Sequence, residues 1–356
     1  MTARKILILG ASYGSLLGVK LAAAGHAVTL VCLPAEAKLI NERGAIVRMP
    51  VKGRDDLVEV RSRDLPGSLA ACGTEGLDPA RYDLVGLAMQ EPQYGSPGVR
   101  ELLSAVGSSR VPCLSIMNMP PLPYLRRLPG VDADACRAAY TDPTVWDAFD
   151  GRSLTLCSPD PQAFRPPEEP VNVLQVRLPT NFKAARFPDE APTAMLRDLE
   201  AGIEAARFDG GGGERIALPV KLKVHDSVFV PLAKWAMLLA GNYRCVLADT
   251  VQPIREAVHG DPQASRAVYE WVVALCVKLG ASPADLVPYE KYANAALSLA
   301  SPSSAARALA AGARNIERVD RLVQLVAAQQ GLKSAAVDET VRRVDGWLER
   351  NRLAAA

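Results

Sequence analysis

The sequence predicts an α/β doubly wound parallel sheet followed by an all-α C-terminal domain. Two observations carry that expectation. Four short apolar runs lie in the first third of the chain: KILILG (5–10), AVTLVCL (27–33), YDLVGLAM (82–89) and VPCLSIMN (111–118). Uninterrupted apolar runs of this length suit strands covered on both faces. From about residue 228 the pattern changes, and apolar residues recur at helical spacing.

The elements follow in order. Residues 14–24, GSLLGVKLAAA, are rich in Ala and Leu and read as a helix stopped by Gly25. With the runs on either side they make one βαβ unit. A second helix is expected over 36–44, ending at Gly44, then a β excursion over 45–62 and a third helix over 97–106. The alternation supports a doubly wound domain. Between 119 and 220 prolines cluster in MPPLP and RPPEEP, DGGGGE (209–214) reads as a loop, and VNVLQVRLP (171–179) reads as a further strand. The expected division is 1–185 for the sheet domain and 186–356 for the helical domain, with the boundary somewhere in 120–227. Five helical stretches follow: 228–249, 264–280, 288–300, 303–331 and 334–351.

Composition narrows the function classes. The 356 residues carry 41 Lys+Arg against 39 Asp+Glu, a net charge of +2. That balance points neither to nucleic acid nor to a membrane surface. No apolar run is long enough to span a bilayer, and the N-terminus lacks the regions of a signal peptide, so a cytoplasmic location is expected. Cys32, Cys72, Cys113, Cys136, Cys157, Cys245 and Cys276 form no CxxC pair, and His26, His225 and His259 are dispersed. No metal site is expected.

The chemistry begins at LGASYGS, residues 9–15. A dinucleotide-binding turn needs a glycine for the bend, one for approach of the pyrophosphate and one for close helix–strand packing. Gly10 supplies the bend and Gly14 the packing. Ser12 stands at the approach position, Tyr13 is large for such a turn, and Ser15 with the nearby backbone N–H groups can cap an anion. The motif is a shortened form of the Rossmann-like fingerprint. Neither Asp/Glu nor Arg ends the second strand, which runs into Leu33-Pro34. Glu36 and Lys38 lie just beyond, so NAD and NADP are not distinguished here.

Taken together, ILILGASYGSLLGVKLAAAGHAVTLV, DLVGLAMQEPQ, CLSIMNM, LAKWAMLLAGNYRCVLAD and SPSSAARALAAGARNIERVDRLVQLVAAQQGL resemble, in that order, the ketopantoate reductase family. The resemblance covers about the first 120 residues and most of 228–332. It implies a Rossmann-like domain, a helical substrate and dimerisation domain, an NAD or NADP cofactor, a small-molecule substrate and a homodimer. It assigns Lys234 as the general acid/base and Asn242, Ser303 and Asn118 to the substrate. Asn118 also lies at the cofactor. Leu238 replaces a family asparagine, and Asn315 stands where the family has its carboxylate. Leu33 and Gln90 stand where it has phosphate-facing positive charges. Their loss weakens the case for NADPH and leans towards NAD, with Lys38 or Arg43 as another phosphate contact.

From the residues alone, Lys234 interrupts an apolar helix, and a lysine in a partly dry cleft can protonate a carbonyl oxygen. It can equally lie on a solvated stripe. Ser303 can equally be a helix N-cap, Asn315 an exposed surface amide, and Arg126 and Arg127 solvated rather than facing an anionic substrate. The expected activity is hydride transfer to or from a small keto or hydroxy acid, or a related carbonyl or imine. The alternative is a non-catalytic or altered-ligand binding protein on the same scaffold.

Overall fold

The computed structural model describes residues 2–210 and 214–355. The chain divides into two compact units. The first contains residues up to Met89, Gln93–Met117 and Val145–Asp226. The second contains Gln90–Pro92, Asn118–Thr144 and everything from Ser227 onward.

The first unit is the α/β unit. Its strands are β1 (Lys5–Leu9), β2 (Ala27–Val31), β3 (Ile46–Met49), β4 (Val58–Arg61), β5 (Ser68–Cys72), β6 (Leu84–Leu87), β7 (Cys113–Ile116), β8 (Leu154–Ser158), β9 (Gln162–Phe164), β10 (Val173–Leu178), β11 (Phe182–Ala185), β12 (Phe208–Asp209), β13 (Arg215–Ile216) and β14 (Leu222–His225). Eight form one sheet in the order β14-β11-β8-β7-β6-β1-β2-β5. All its pairings are parallel except β8 with β11. The order reverses at β1, between β2 and β6, which is the switch point of a doubly wound sheet. The four apolar runs are β1, β2, β6 and β7, and their burial on both faces explains why they lack alternation.

Helices α1 (Tyr13–Ala23), α2 (Pro34–Arg43) and α3 (Val99–Ser109) follow β1, β2 and β6. The β excursion is β3 and β4. These join β10 and β9 in a second sheet ordered β4-β3-β10-β9. Val47, Val60, Leu174 and Val176 of that sheet share one apolar core with Leu16 and Val19 of α1. β12 and β13 pair antiparallel across the expected DGGGGE loop, of which 211–213 lie outside the described residues.

The last passage from the first unit to the second falls at 226/227, inside the expected range of 120–227. The physical reason is burial. Helix Glu190–Ala205 sinks Leu196, Leu199 and Ile203 into the core of the sheet unit, and β14 extends its sheet.

The second unit is helical. Its long segments are Ile254–His259, Pro262–Lys278, Tyr289–Ala296, Ser304–Ala310, Val319–Gln329 and Ala335–Leu353. Two expected helices are broken. The first is one turn of α-helix, Lys234–Met237, continuing as a π-turn over Leu238–Asn242, where the Tyr243 N–H reaches back to the Leu238 carbonyl. The second, expected unbroken over 303–331, stops at Ala310 and restarts at Val319. Both breaks fall among the candidate residues.

Candidate active site

In the sheet unit, the turn after β1 is held by its glycines. Gly10 sits at φ +103°, and a Cβ there would lie 2.7 Å from the Ala88 carbonyl oxygen. Its N–H donates to Val31 O at 2.8 Å. A Cβ on Gly14 would lie 2.9 Å from Ile8 Cγ2, so α1 packs tightly on β1. The Tyr13 ring makes an edge contact with Phe182, and its hydroxyl donates to Pro161 O at 2.9 Å. Tyr13 is therefore packed against the core of its own unit. Ser12 is the N-cap of α1 and makes no side-chain cap bond. The Ser15 hydroxyl is buried and donates to Ala11 O at 2.6 Å, which engages it within the turn. The first turn of α1 carries no acidic side chain, so the helix dipole there is not offset. Backbone donors, a bend closed to any Cβ and this unopposed dipole are a donor set that can hold a pyrophosphate. Leu33 is exposed at the start of α2. Lys38 pairs with Glu42 at 3.8 Å on the surface.

In the helical unit, a narrow cavity is lined by Gln90, Asn118, Leu238, Asn242, Tyr243, Ser304, Ile316 and Glu317, among others. Glu317 is the centre of its polar chemistry. The Asn118 amide donates to Glu317 Oε2 at 3.3 Å, and the Glu91 N–H approaches Oε1 at 3.4 Å. Burial pushes the Glu317 carboxyl up. The Asn118 hydrogen bond and the nearby Lys234 charge oppose that shift. Lys234 itself is half-buried. Asn118 Oδ1 is buried with no hydrogen-bond partner among the described residues.

Glu317 is positioned by its neighbours in sequence. The Tyr243 hydroxyl donates to the Glu317 carbonyl and accepts from Val319 N at 3.0 Å. Arg318 bridges buried Asp320 and Asp345 at 2.9 and 2.7 Å. Gly312, at φ +87°, ends the first helix, with Ala313 N donating to Ala308 O at 2.9 Å, and the Tyr243 and Arg318 bonds hold the segment up to the restart at Val319. A second buried carboxyl, Glu91, accepts from Thr141 N at 2.9 Å and Thr141 Oγ1 at 3.0 Å. Burial raises it to about 7. These bonds tie 90–92 to 118–144 and explain why both segments belong to the helical unit.

Of the candidates from the sequence, the structure brings Gln90, Asn118, Leu238 and Asn242 to one cavity. Ser303 is the N-cap of helix Ser304–Ala310, accepting from Ala306 N at 3.1 Å, and its hydroxyl donates to Asn242 O at 2.7 Å. Its hydroxyl is thus spent on holding Asn242, while Ser304 lines the cavity. Asn315 lies apart, exposed, with its Oδ1 accepting from Arg352 at 3.2 Å. Glu317, two residues on, brings a carboxylate to the cavity. Arg126 is exposed and within 3.7 Å of Asp134, and Arg127 lies over the Tyr124 ring. The residues missed were Glu317, Glu91 and Tyr243. Reading 303–331 as an unbroken helix hid Glu317, although a carboxylate between Ile316 and the apolar run that follows was a usable signal. Among the described residues, no group of three or more His, Cys, Asp or Glu side chains is placed to hold a metal ion, and no helix is long and apolar enough to cross a membrane.

Solved structures with this architecture exist. A 2-dehydropantoate 2-reductase from Methylococcus capsulatus matches at 12% identity and TM-score 0.65, covering 98% of this chain and 97% of its own. A ketopantoate reductase from Ralstonia eutropha matches at 16% identity and TM-score 0.61, covering 98% and 99%. The chain has the ketopantoate reductase fold. D-mandelate dehydrogenase in a ternary structure with NADH and anilino(oxo)acetate shares it, at 14% identity and TM-score 0.62 over 98% and 99% of the two chains. No family model matches the sequence, and no curated protein matches it.

Proposed function

We propose that this chain is a nicotinamide-dependent oxidoreductase that interconverts a small 2-keto acid, or a related carbonyl compound, and its hydroxy form. One observation carries the reading. Glu317 takes the Asn118 amide and feels the Lys234 charge, beside a cavity walled by Asn242 and Leu238. The fold shared with D-mandelate dehydrogenase and the ketopantoate reductases supports it. So does the turn at Gly10–Gly14, with its donor set suited to a pyrophosphate.

The bound nicotinamide would supply or accept the hydride. In reduction, the Lys234 ammonium donates a proton to the carbonyl oxygen and stabilises the charge that develops there. In oxidation, neutral Lys234 takes the hydroxyl proton. Glu317 lies close enough to feel the Lys234 charge, which favours the ammonium form of Lys234 when the carboxyl is ionised. Asn118 Oδ1 accepts from a donor in the cavity, and the Asn242 amide binds a polar group of the substrate. Leu238 makes part of the wall apolar, which favours a substrate with a hydrocarbon side chain.

Replacing Lys234 with Ala tests this. Turnover of a 2-keto acid should fall by about 10²–10⁴, while NADH affinity stays within about twofold. Near-normal turnover in that variant overturns the role of Lys234. If neither NADH nor NADPH binds the native chain, the non-catalytic reading on the same scaffold takes its place.

A further inference from the structure

The sequence pattern does not announce a charge pair that the sheet unit assembles beyond the end of β2. Glu36, in the first turn of α2, is only 7% exposed. Its Oε1 accepts a hydrogen bond from the Arg165 guanidinium, a residue 129 positions away that directly follows β9 of the second sheet. The neighbouring Cys32 thiol is pushed up to about 12 by burial and by the Glu36 charge. Leu33, three residues before Glu36, is 74% exposed. Burial raises the Glu36 carboxyl, and the Arg165 charge and hydrogen bond hold it down.

A group just beyond the second strand is the one that meets the adenosine ribose in a doubly wound sheet. We propose that Glu36 and Arg165 together read that ribose and make the chain selective for NAD(H) over NADP(H). The proposal rests on the dinucleotide reading above. A carboxylate has about four acceptor sites, and Arg165 engages one of those on Oε1. The others can accept from the two hydroxyls of a ribose diol. Arg165 keeps the carboxylate ionised and fixed. Its charge is already balanced, so it offers no spare cation to a 2′-phosphate, which would instead face a buried carboxylate. Exposed Leu33 gives the adenine an apolar surface.

The test is titration of the purified full chain with NADH and with NADPH, read by nicotinamide fluorescence, in the native protein and in three variants. The native chain should bind NADH about tenfold or more tightly than NADPH. Glu36→Gln should shrink that ratio about tenfold, because the released guanidinium meets the 2′-phosphate. Arg165→Gln should leave the preference for NADH standing, and the double variant Glu36→Gln/Arg165→Gln should lose the NADPH gain. Loss of packing alone weakens both nucleotides together, so the ratio separates specificity from damage. A native preference for NADPH, or a ratio unchanged by Glu36→Gln, overturns the proposal and leaves the dinucleotide reading intact. Failure of both nucleotides to bind the native chain at millimolar concentration overturns both.

Discussion

Glu91 offers a measurable link between burial and pH. Its carboxyl is raised from 4.5 to about 7 by burial, with the Glu317 charge adding to the rise and two hydrogen bonds from Thr141 opposing it. Between these two values the folded chain binds a proton that the unfolded chain has released. Stability is therefore present below pH 4.5 and is lost as pH rises towards 7. Above pH 7 the cost is about 3 kcal/mol. Glu91→Gln keeps an acceptor for Thr141 N and a donor for Thr141 Oγ1, and it does not titrate. The variant should gain on the native protein by about 2.5 kcal/mol between pH 5 and pH 8. At about 2–4 °C per kcal/mol, that is a relative rise in Tm of roughly 5–10 °C. Thermal melts of both proteins at half-unit pH steps read it. A difference that stays constant across this range refutes the argument that Glu91 is buried at a cost.

Lys20 predicts the opposite slope. It is 2% exposed in α1, donates to the carbonyls of Leu218 and Pro219 at 3.0 and 2.9 Å, and is lowered to about 7, chiefly by burial. The unfolded state binds the extra proton between 7 and 10.5, so native stability should rise relative to Lys20→Met by about 2.5 kcal/mol from pH 7.5 to 9.5 in urea unfolding. Gly241→Ala would set a Cβ 1.8 Å from the Tyr292 hydroxyl, which donates to Met237 O at 3.1 Å beside the π-turn. A loss of about 1–3 kcal/mol is expected, and calorimetry should show it. An unchanged Tm would mean that Tyr292 moves aside freely.

The strands at 5–9, 27–31, 84–87 and 113–116 were legible because burial leaves largely apolar runs, a signal that needs no partner to be read. Gly10 and Gly14 were legible because a tight turn and close packing admit no other residue. Lys234, Asn242 and Asn118 were singled out by resemblance, and Lys234 also by its place in an apolar run. Periodicity did not reveal the helix break at 311–318. Gly312, at φ +87°, closes the first helix with Ala313 N donating to Ala308 O at 2.9 Å, a local stop that apolar spacing does not register, and distant partners, Tyr243 and Asp345, hold the segment that follows. Reading the segment as one helix left Glu317, the carboxylate that lines the cavity, unread. The Ser303 hydroxyl could be a cap or a ligand on local grounds, and only the carbonyl of Asn242, 61 residues earlier, shows how it is used.

The sequence by itself determined the class of fold, the buried strands and helices of its first third and the residues that give the glycine turn its shape, because these follow from local sterics and from the burial of contiguous side chains. Tertiary structure decided which charges meet. Glu317 finds Asn118, Glu91 finds Thr141 and Glu36 finds Arg165 across separations of 199, 50 and 129 residues. Electrostatic and hydrogen-bond partners act over a few ångströms of space, and no local pattern in the chain encodes that distance.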